Sequence, residues 1–231
     1  MKRTNKKLII QACLTVDGTG IFDAGFSGCM HDMLRLTYQR HAAYARSHNY
    51  DYWHIMGSVY PDMIGGGWDK IELIRRALEA EYEFVAWVDA DAAVLDFEHD
   101  LTEALTVGEF GACVHDPARS EYLKMLNVPA HCNVGVTYWR NTELTRKFVA
   151  EWFATYPGEQ RWKEQGSFNE LIKRPEYAAV FETCADTWNA TVNVNEVTNP
   201  IVKGWHGIVP AARRMGMMKA ELSQDFLVYR I

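Results

Sequence analysis

The stretch Glu83–Asp96, EFVAWVDADAAVLD, decides how this chain is read. Phe84, Val85, Ala86, Trp87 and Val88 form a short apolar run of strand-favouring residues, bounded by charge, which is the pattern of a strand buried on both faces. The run stops at Asp89-Ala90-Asp91. In extended backbone residues i and i+2 project to the same side, so the two carboxylates converge at the carboxyl end of the strand. That end is where open α/β sheets bind their ligands. Two like charges held so close repel unless a positive charge lies between them, and a hard divalent cation, Mn²⁺ or Mg²⁺, suits oxygen ligands and commonly bridges to a substrate phosphate. A bare D-x-D is most often a solvated turn; a buried strand leading straight into it makes this one a candidate metal site.

Working outward, the flanking segments alternate strand and helix. Lys7–Leu14 reads as a first strand, followed by a glycine-rich loop at Thr15–Gly28 of the kind that often serves as a lid. A helical pattern runs from about Met30 to His48, then a strand from Asp51 to Met56. After the turn-forming segment PDMIGGG, a helix opens near Trp68 with Ile71, Ile74, Ala77 and Leu78 on one stripe and Arg75 and Arg76 facing solvent. The order strand, helix, strand, helix, strand predicts an α/β fold, a mostly parallel sheet covered by helices.

Beyond the acidic pair, a short helix is expected at Leu101–Val107, a strand at Phe110–Val114, an irregular segment at Asp116–Cys132, and a strand at Asn133–Trp139 with Gly135 inside it, a position that marks a bulge or a close backbone approach. Asn141 or Thr142 caps a helix reaching Tyr156, and Glu164–Arg174 forms another that Pro175 ends. Short β-prone pieces (Val180–Glu182, Thr191–Val194, Ile201–Trp205) make a small β region, and FLVYRI a last strand. Residues 1–231 read as one domain, with about 1–95 as a nucleotide-binding half and about 96–231 completing the acceptor and metal side.

The bulk properties limit the function classes. Net charge is −6 with acids and bases interspersed, which argues against a dedicated nucleic-acid binder. No window approaches the roughly 18 apolar residues of a membrane span. Five widely spaced cysteines without a C-x-x-C read as reduced thiols, several of them in the core. A cytoplasmic protein is expected, with no sign of its oligomeric state.

Further residues gain meaning beside the acidic pair. His206 follows a short apolar strand between Gly204 and Gly207, and an imidazole with two carboxylates is a reasonable ligand set for Mn²⁺. Arg213 and Arg214 are placed to neutralise a diphosphate, or simply to form a solvated helix face. Glu164 and Gln165 open a helix with Asn169 one turn on; they can touch a substrate or serve the helix start.

The ordered set Trp68-Asp69-Lys70, FVAWVDADAAV, Asn133-Val134-Gly135 followed by TYWRNT, Glu151-Trp152, Glu164-Gln165-x-x-x-Asn169, Trp188-Asn189 and the His206 segment resembles the GT-A class of nucleotide-sugar glycosyltransferases, and within it glycosyltransferase family 34, the galactosyl, mannosyl and xylosyl transferases. The resemblance runs from about residue 68 to 207. It implies a GT-A fold. It also implies Asp89 and Asp91 as ligands of the metal and of the donor diphosphate or ribose, and His206 as third metal ligand. Lys70, Asn133 and Gly135 match the donor-sugar side, and Arg213 and Arg214 fit the diphosphate segment loosely. Gln165 matches the polar group presented to the β-face of the anomeric carbon, with Glu164 and Asp186 as acids in reserve. The implied reaction retains anomeric configuration and moves a hexose or pentose from a UDP-sugar, or GDP-mannose, to a saccharide or glycoconjugate acceptor. Eukaryotic members carry a membrane anchor not seen here, which points to cytoplasmic acceptors or the inner membrane face.

Three other classes compete. A phosphotransferase of the haloacid-dehalogenase type would place its D-x-D on the first strand rather than about the third. A sugar nucleotidyltransferase would have a basic residue in the first glycine-rich loop, and Thr15–Gly28 has none. A calcium-dependent carbohydrate-binding protein would need acids and amides clustered on loops, where one pair is evident.

Overall fold

A computed structural model describes residues 6–14, 24–59, 67–157, 163–206, 208 and 211–225, with side chains of 24–29, 211, 224 and 225 left aside. The first strand β1 (Lys7–Cys13) is followed by helix α1 (Ala24–Ser47), β2 (Tyr50–Met56), α2 (Gly67–Glu79), β3 (Phe84–Val88) and β4 (Ala92–Val94). Then come β5 (Phe110–His115), α3 (Glu121–Met125), β6 (His131–Arg140), α4 (Glu143–Ala154), α5 (Glu164–Leu171), α6 (Pro175–Ala178), β7 (Phe181–Thr183), β8 (Ala190–Thr191), β9 (Val202–Gly204) and α7 (Ala211–Asp225).

Six strands form the main sheet in the order β2-β1-β3-β6-β5-β7, and β4-β9-β8 form a small second sheet. β1 runs parallel to β2 and β3, and β5 parallel to β7. β6 is antiparallel to both β3 and β5, with a bulge in the β5 pairing between Ala112 and Val114. The predicted α/β class holds, and the antiparallel β6 is what brings Asn133–Gly135 beside the end of β3: the amide of Asp89 donates to the Gly135 carbonyl at 2.8 Å.

Period-2 alternation assigns the two faces of the sheet. Leu8, Ile10, Ala12, Val85 and Trp87 pack under α2, α4 and α5, where Phe110, Trp139, Phe148, Trp152 and Phe168 form an aromatic block. Ile9, Phe84, Ala86 and Val88 face the other way, against Tyr44 of α1 and Val94 and Val202 of the small sheet. Ile71, Ile74, Ala77 and Leu78 are buried on α2 as their spacing predicted. Cys113, Cys132 and Cys184 are buried free thiols, and Cys13 is buried as well.

Three local expectations need adjustment. The segment expected to be irregular, Asp116–Cys132, contains α3, capped by the Ser120 side chain on the Leu123 amide. α5 stops at Leu171, short of the expected Arg174, and Pro175 opens α6 instead, since its fixed φ suits the first helical position. β6 begins at His131, two residues earlier than expected. The expected strand FLVYRI and most of the Thr15–Gly28 and PDMIGGG loops lie outside the described residues. No helix among the described residues is long and apolar enough to cross a membrane.

Of the two caps foreseen for α4, Thr142 is the one formed: its Oγ1 accepts from the Thr145 amide and donates to Glu109. Thr142→Ala is expected to cost about 1 kcal/mol, read as a lower urea midpoint at unchanged slope.

Candidate active site

The end of β3 and the loop after β9 build the centre. Asp89, Asp91 and His206 each offer a ligand atom, and these atoms lie within 4.8 Å of one another. The turn that carries the carboxylates is closed by the Ala92 amide on the Asp89 carbonyl at 3.0 Å, and it is tied to the His206 loop by the Trp205 amide on the Asp91 carbonyl at 2.9 Å.

Asp91 is 4 % exposed. Its Oδ1 lies 2.9 Å from His206 Nδ1, and its Oδ2 accepts from Arg214 Nη1 at 2.5 Å. Burial works against its ionisation, but the charge of and hydrogen bond from His206, with the Arg214 guanidinium, hold its carboxyl well below the usual carboxylate range. For His206, burial alone would lower the imidazole; the charge of Asp91 and the hydrogen bond to it, with Asp89 behind, outweigh burial and raise it.

Asp89 is more open. Its Oδ1 accepts from the Trp87 indole at 2.6 Å and lies 3.0 Å from Lys70 Nζ. Lys70, from the first turns of α2, is itself buried, sits 5.4 Å over the Trp87 ring and donates to the Val134 carbonyl at 2.9 Å. The Val134 amide in turn donates to Gln165 Oε1 at 3.1 Å. One residue of β6 therefore joins the lysine that holds Asp89 to the first turn of α5.

Asn133 Oδ1 accepts from the Gly135 amide at 2.9 Å and from Asn189 Nδ2 at 3.0 Å. Gly135 and Gly204 flank the His206 ring: a Cβ built on Gly135 would lie 2.5 Å from Cε1, and one on Gly204 2.3 Å from Nε2. Glu164 places its carboxyl against Gly67, and its main-chain carbonyl accepts from the Trp152 indole at 2.7 Å. Burial raises Glu164 above its ordinary value, partly offset by Lys70 and reinforced by Asp89.

The structure thus brings Lys70, Asp89, Asp91, Asn133, Gly135, His206 and Arg214 together, with Glu164 and Gln165 alongside. It splits the other candidates away. Arg213 lies on the exposed side of α7, whereas Arg214 is 6 % exposed and points at Asp91. Asp186 accepts from Arg119 at 3.0 Å and from Asn195 at 3.0 Å, so its charge is paired away from the acidic turn. Three participants escaped the sequence reading. The Trp87 indole was in principle findable, since i and i+2 share a side; Asn189 was noted without a role; Gly204 owes its role to a ring two residues on.

The three ligand groups fit a divalent cation. Two carboxylates and an imidazole are a suitable donor set, and His206 Nε2, buried, has no hydrogen-bond partner among the described residues.

Residues 21–109 match the family described as the galactosyl transferase GMA12/MNN10 family. Over 139 residues the chain is 31% identical to galactomannan galactosyltransferase 1 of Cyamopsis tetragonoloba; the match covers 59% of this chain and 31% of that protein, so the chain spans about a third of its relative's length. Among solved structures it is similar to a glycosyltransferase involved in glycosylation of the major capsid of PBCV-1, with a TM-score of 0.65 and 14% identity over 93% of this chain and 98% of that one. It is also similar to the bifunctional glycosyltransferase WbbM, with a TM-score of 0.54 and 13% identity over 97% of this chain and 52% of that one. Identities this low speak for the fold, and the sequence matches add the kinship.

The fold is that of the GT-A glycosyltransferases to which the chain is similar. In sequence, the part of the chain that matches the galactosyl transferase GMA12/MNN10 family takes in Lys70, Asp89 and Asp91 and stops short of Asn133, Gln165 and His206.

Proposed function

We propose that the chain is a metal-dependent, retaining glycosyltransferase that moves a hexose or pentose from a nucleotide sugar, a UDP-sugar in preference to GDP-mannose, to a saccharide or glycoconjugate acceptor. The observation that carries the reading is the convergence of Asp89, Asp91 and His206 with two buried cations, Lys70 and Arg214, on their flanks. Such a cluster is costly to bury and is matched to a ligand that is itself highly charged.

Asp89, Asp91 and His206 would hold Mn²⁺ or Mg²⁺, which when bound supplies charge neutralisation for a diphosphate leaving group. Lys70 and Arg214 add fixed positive charge at the same place, aimed before the reaction begins and shielded from water, where it is most effective. Asn133 and the bare Gly135 backbone, beside the ring of His206, form the wall on which the donor sugar would lie. Gln165 faces the sugar: the Val134 amide fixes its carbonyl oxygen, whose second lone pair stays available to a positive charge developing at the anomeric carbon. Front-face departure and attack through an oxocarbenium-like transition state would keep the anomeric configuration. Glu164, with its carboxyl raised by burial, is the acid held behind that position. Arg213 and Asp186 take no part. The segment carrying α3 and the stretch 15–28, whose last residues open α1, are where an acceptor would be selected, cytoplasmic or at the inner membrane face.

The test is a screen of nucleotide sugars with Mn²⁺, reading release of nucleoside diphosphate, alongside calorimetry with UDP and GDP. Turnover of one donor that is lost in Lys70→Ala and in chelator is the expected result. Failure of both nucleotides to bind in the presence of Mn²⁺ would overturn the proposal.

A further inference from the structure

Gln11 lies near the end of β1 on the α1 face of the sheet and is completely buried. Its carboxamide is saturated on both sides. Nε2 donates to the main-chain carbonyls of Asp89 at 3.2 Å and Ala92 at 3.3 Å, the two residues that bracket the acidic turn. Oε1 receives Tyr52 Oη at 2.8 Å, His41 Nδ1 at 2.9 Å and Thr37 Oγ1 at 3.0 Å. The His41 proton can be placed without ambiguity. Its Nε2 accepts the Val94 amide at 3.0 Å, so the hydrogen of a neutral ring is on Nδ1 and points at Gln11. Burial, then Arg40 and His54, bring that imidazole down to about 3 and keep it neutral.

The direction of the Gln11 amide follows from these partners. Turned over, it would set its oxygen against the two carbonyls and its NH₂ against the Nδ1–H of His41, leaving these unmatched in the interior, since only the Thr37 and Tyr52 hydroxyls can turn to accept. A network this complete is stiff, and an interior glutamine in an otherwise apolar strand is costly to keep unless its partners are needed. The carbonyls it grips belong to the residue that is one candidate ligand and to the residue just after the other.

We propose that Gln11 is a positioning residue for the metal site, clamping the backbone of the Asp89–Ala92 turn so that the two carboxylates are presented at a fixed separation, with Thr37, His41 and Tyr52 holding the clamp in register. The inference rests on the metal-dependent reading above. It adds a contributor from β1, outside the segment of the chain that matches family 34. Ligand constellations work only when held within about 0.5 Å of the productive geometry, and outer partners of ligands typically govern metal affinity by ten- to a hundredfold.

Two variants separate this role from general stability. Gln11→Glu keeps the shape and the acceptor but replaces the NH₂ by an oxygen facing two carbonyls; Gln11→Met keeps the length and removes both functions. Ile10→Val, at the adjacent position of the same strand and facing the opposite core, serves as the stability control. Mn²⁺ affinity would be measured by electron paramagnetic resonance titration of folded protein, with and without UDP, and cooperative unfolding by circular dichroism. Both Gln11 variants should bind Mn²⁺ roughly tenfold or more weakly, while Ile10→Val lowers the unfolding midpoint and leaves the affinity alone. A Gln11 variant that folds and binds Mn²⁺ as the wild type does would overturn the proposal. So would weakening by Ile10→Val to the same degree. Should neither Gln11 variant fold, the pair Thr37→Val with Tyr52→Phe removes two of the three donors; unchanged Mn²⁺ affinity there would equally overturn it. A wild type that binds no Mn²⁺ removes the metal reading and the role of Gln11 with it, and is told apart by its being seen before any variant is made.

Discussion

Asp91→Ala is expected to abolish sugar transfer and, separately, to destabilise the protein by about 3–5 kcal/mol, the usual cost of removing one partner of a buried ion pair. Both effects have one origin. The side chains of Asp91 and Arg214 are 6 % and 7 % exposed, and the guanidinium would keep the Ile208 carbonyl while losing its carboxylate. The His206 imidazole would lose the charge that holds its proton. Asp91→Asn preserves shape and one acceptor oxygen; it should recover part of the stability and none of the transfer, because a neutral amide is a poor ligand for a hard cation. The pH dependence of the metal-free protein is set by the same pair. His206 is raised in the folded state, so its contribution is fully present below the unfolded histidine value near 6.5 and is lost as pH rises through the higher folded value. Asp91 is depressed, so its contribution is present above the ordinary aspartate value near 3.9 and is lost as pH falls through the lower folded value. Urea titrations in chelator should show stability declining on the alkaline side of about 6.5 in the wild type and a flatter profile in Asp91→Ala. Mn²⁺ binding should run the opposite way, strengthening as the imidazole loses its proton. An Asp91→Ala protein as stable as the wild type would show that the pair is not held in the geometry described.

How much of this could be read from the chain divides along physical lines. A buried strand ending in two acids one residue apart is local information, and so are the apolar stripe of α2 and the Thr142 cap; all three formed as the spacing required. The direction of β6 was not local: an apolar run such as Asn133–Trp139 reads the same in either direction, and its antiparallel pairing with β3 and β5 is a matter of topology. Helix α3 escaped because a five-residue helix with a single buried side chain, Leu123, carries almost no periodicity. The partners of the acidic pair were unequally visible. Lys70 was carried by resemblance to a family and His206 by its glycine-flanked place after a short strand together with that resemblance, whereas the pairing of Arg214 with Asp91 across 123 positions and that of Asp186 with Arg119 across 67 are tertiary facts that composition cannot hold. Adjacent arginines looked equivalent in the sequence. On a helix they differ by about 100° of rotation, which is enough to bury Arg214 and leave Arg213 in solvent.

Gly204→Ala is expected to weaken Mn²⁺ binding by ten- to a hundredfold while leaving the sheets folded. The position is in β9, paired with Ala92 on one side and Thr191 on the other, and alanine suits a strand at least as well as glycine does. The difficulty is contact. A Cβ there would lie 2.3 Å from His206 Nε2, 2.5 Å from Cδ2 and 3.1 Å from Asn189 Oδ1. The ring cannot retreat toward β6, because the Gly135 backbone already lies against Cε1 and Nε2 on that side. The imidazole must therefore rotate or slide, and its Nδ1 must leave the 2.9 Å contact with Asp91. Gly135→Ala should act in the same direction through the opposite face of the ring. Calorimetric Mn²⁺ titration beside far-UV circular dichroism separates site from fold: a folded Gly204→Ala protein with wild-type affinity would mean that His206 does not bind the metal, and the site would reduce to the two carboxylates. If the affinity falls as expected, a glycine on each side of the imidazole is part of the ligand design, since only bare backbone on both strands admits the ring where the carboxylates can share its metal.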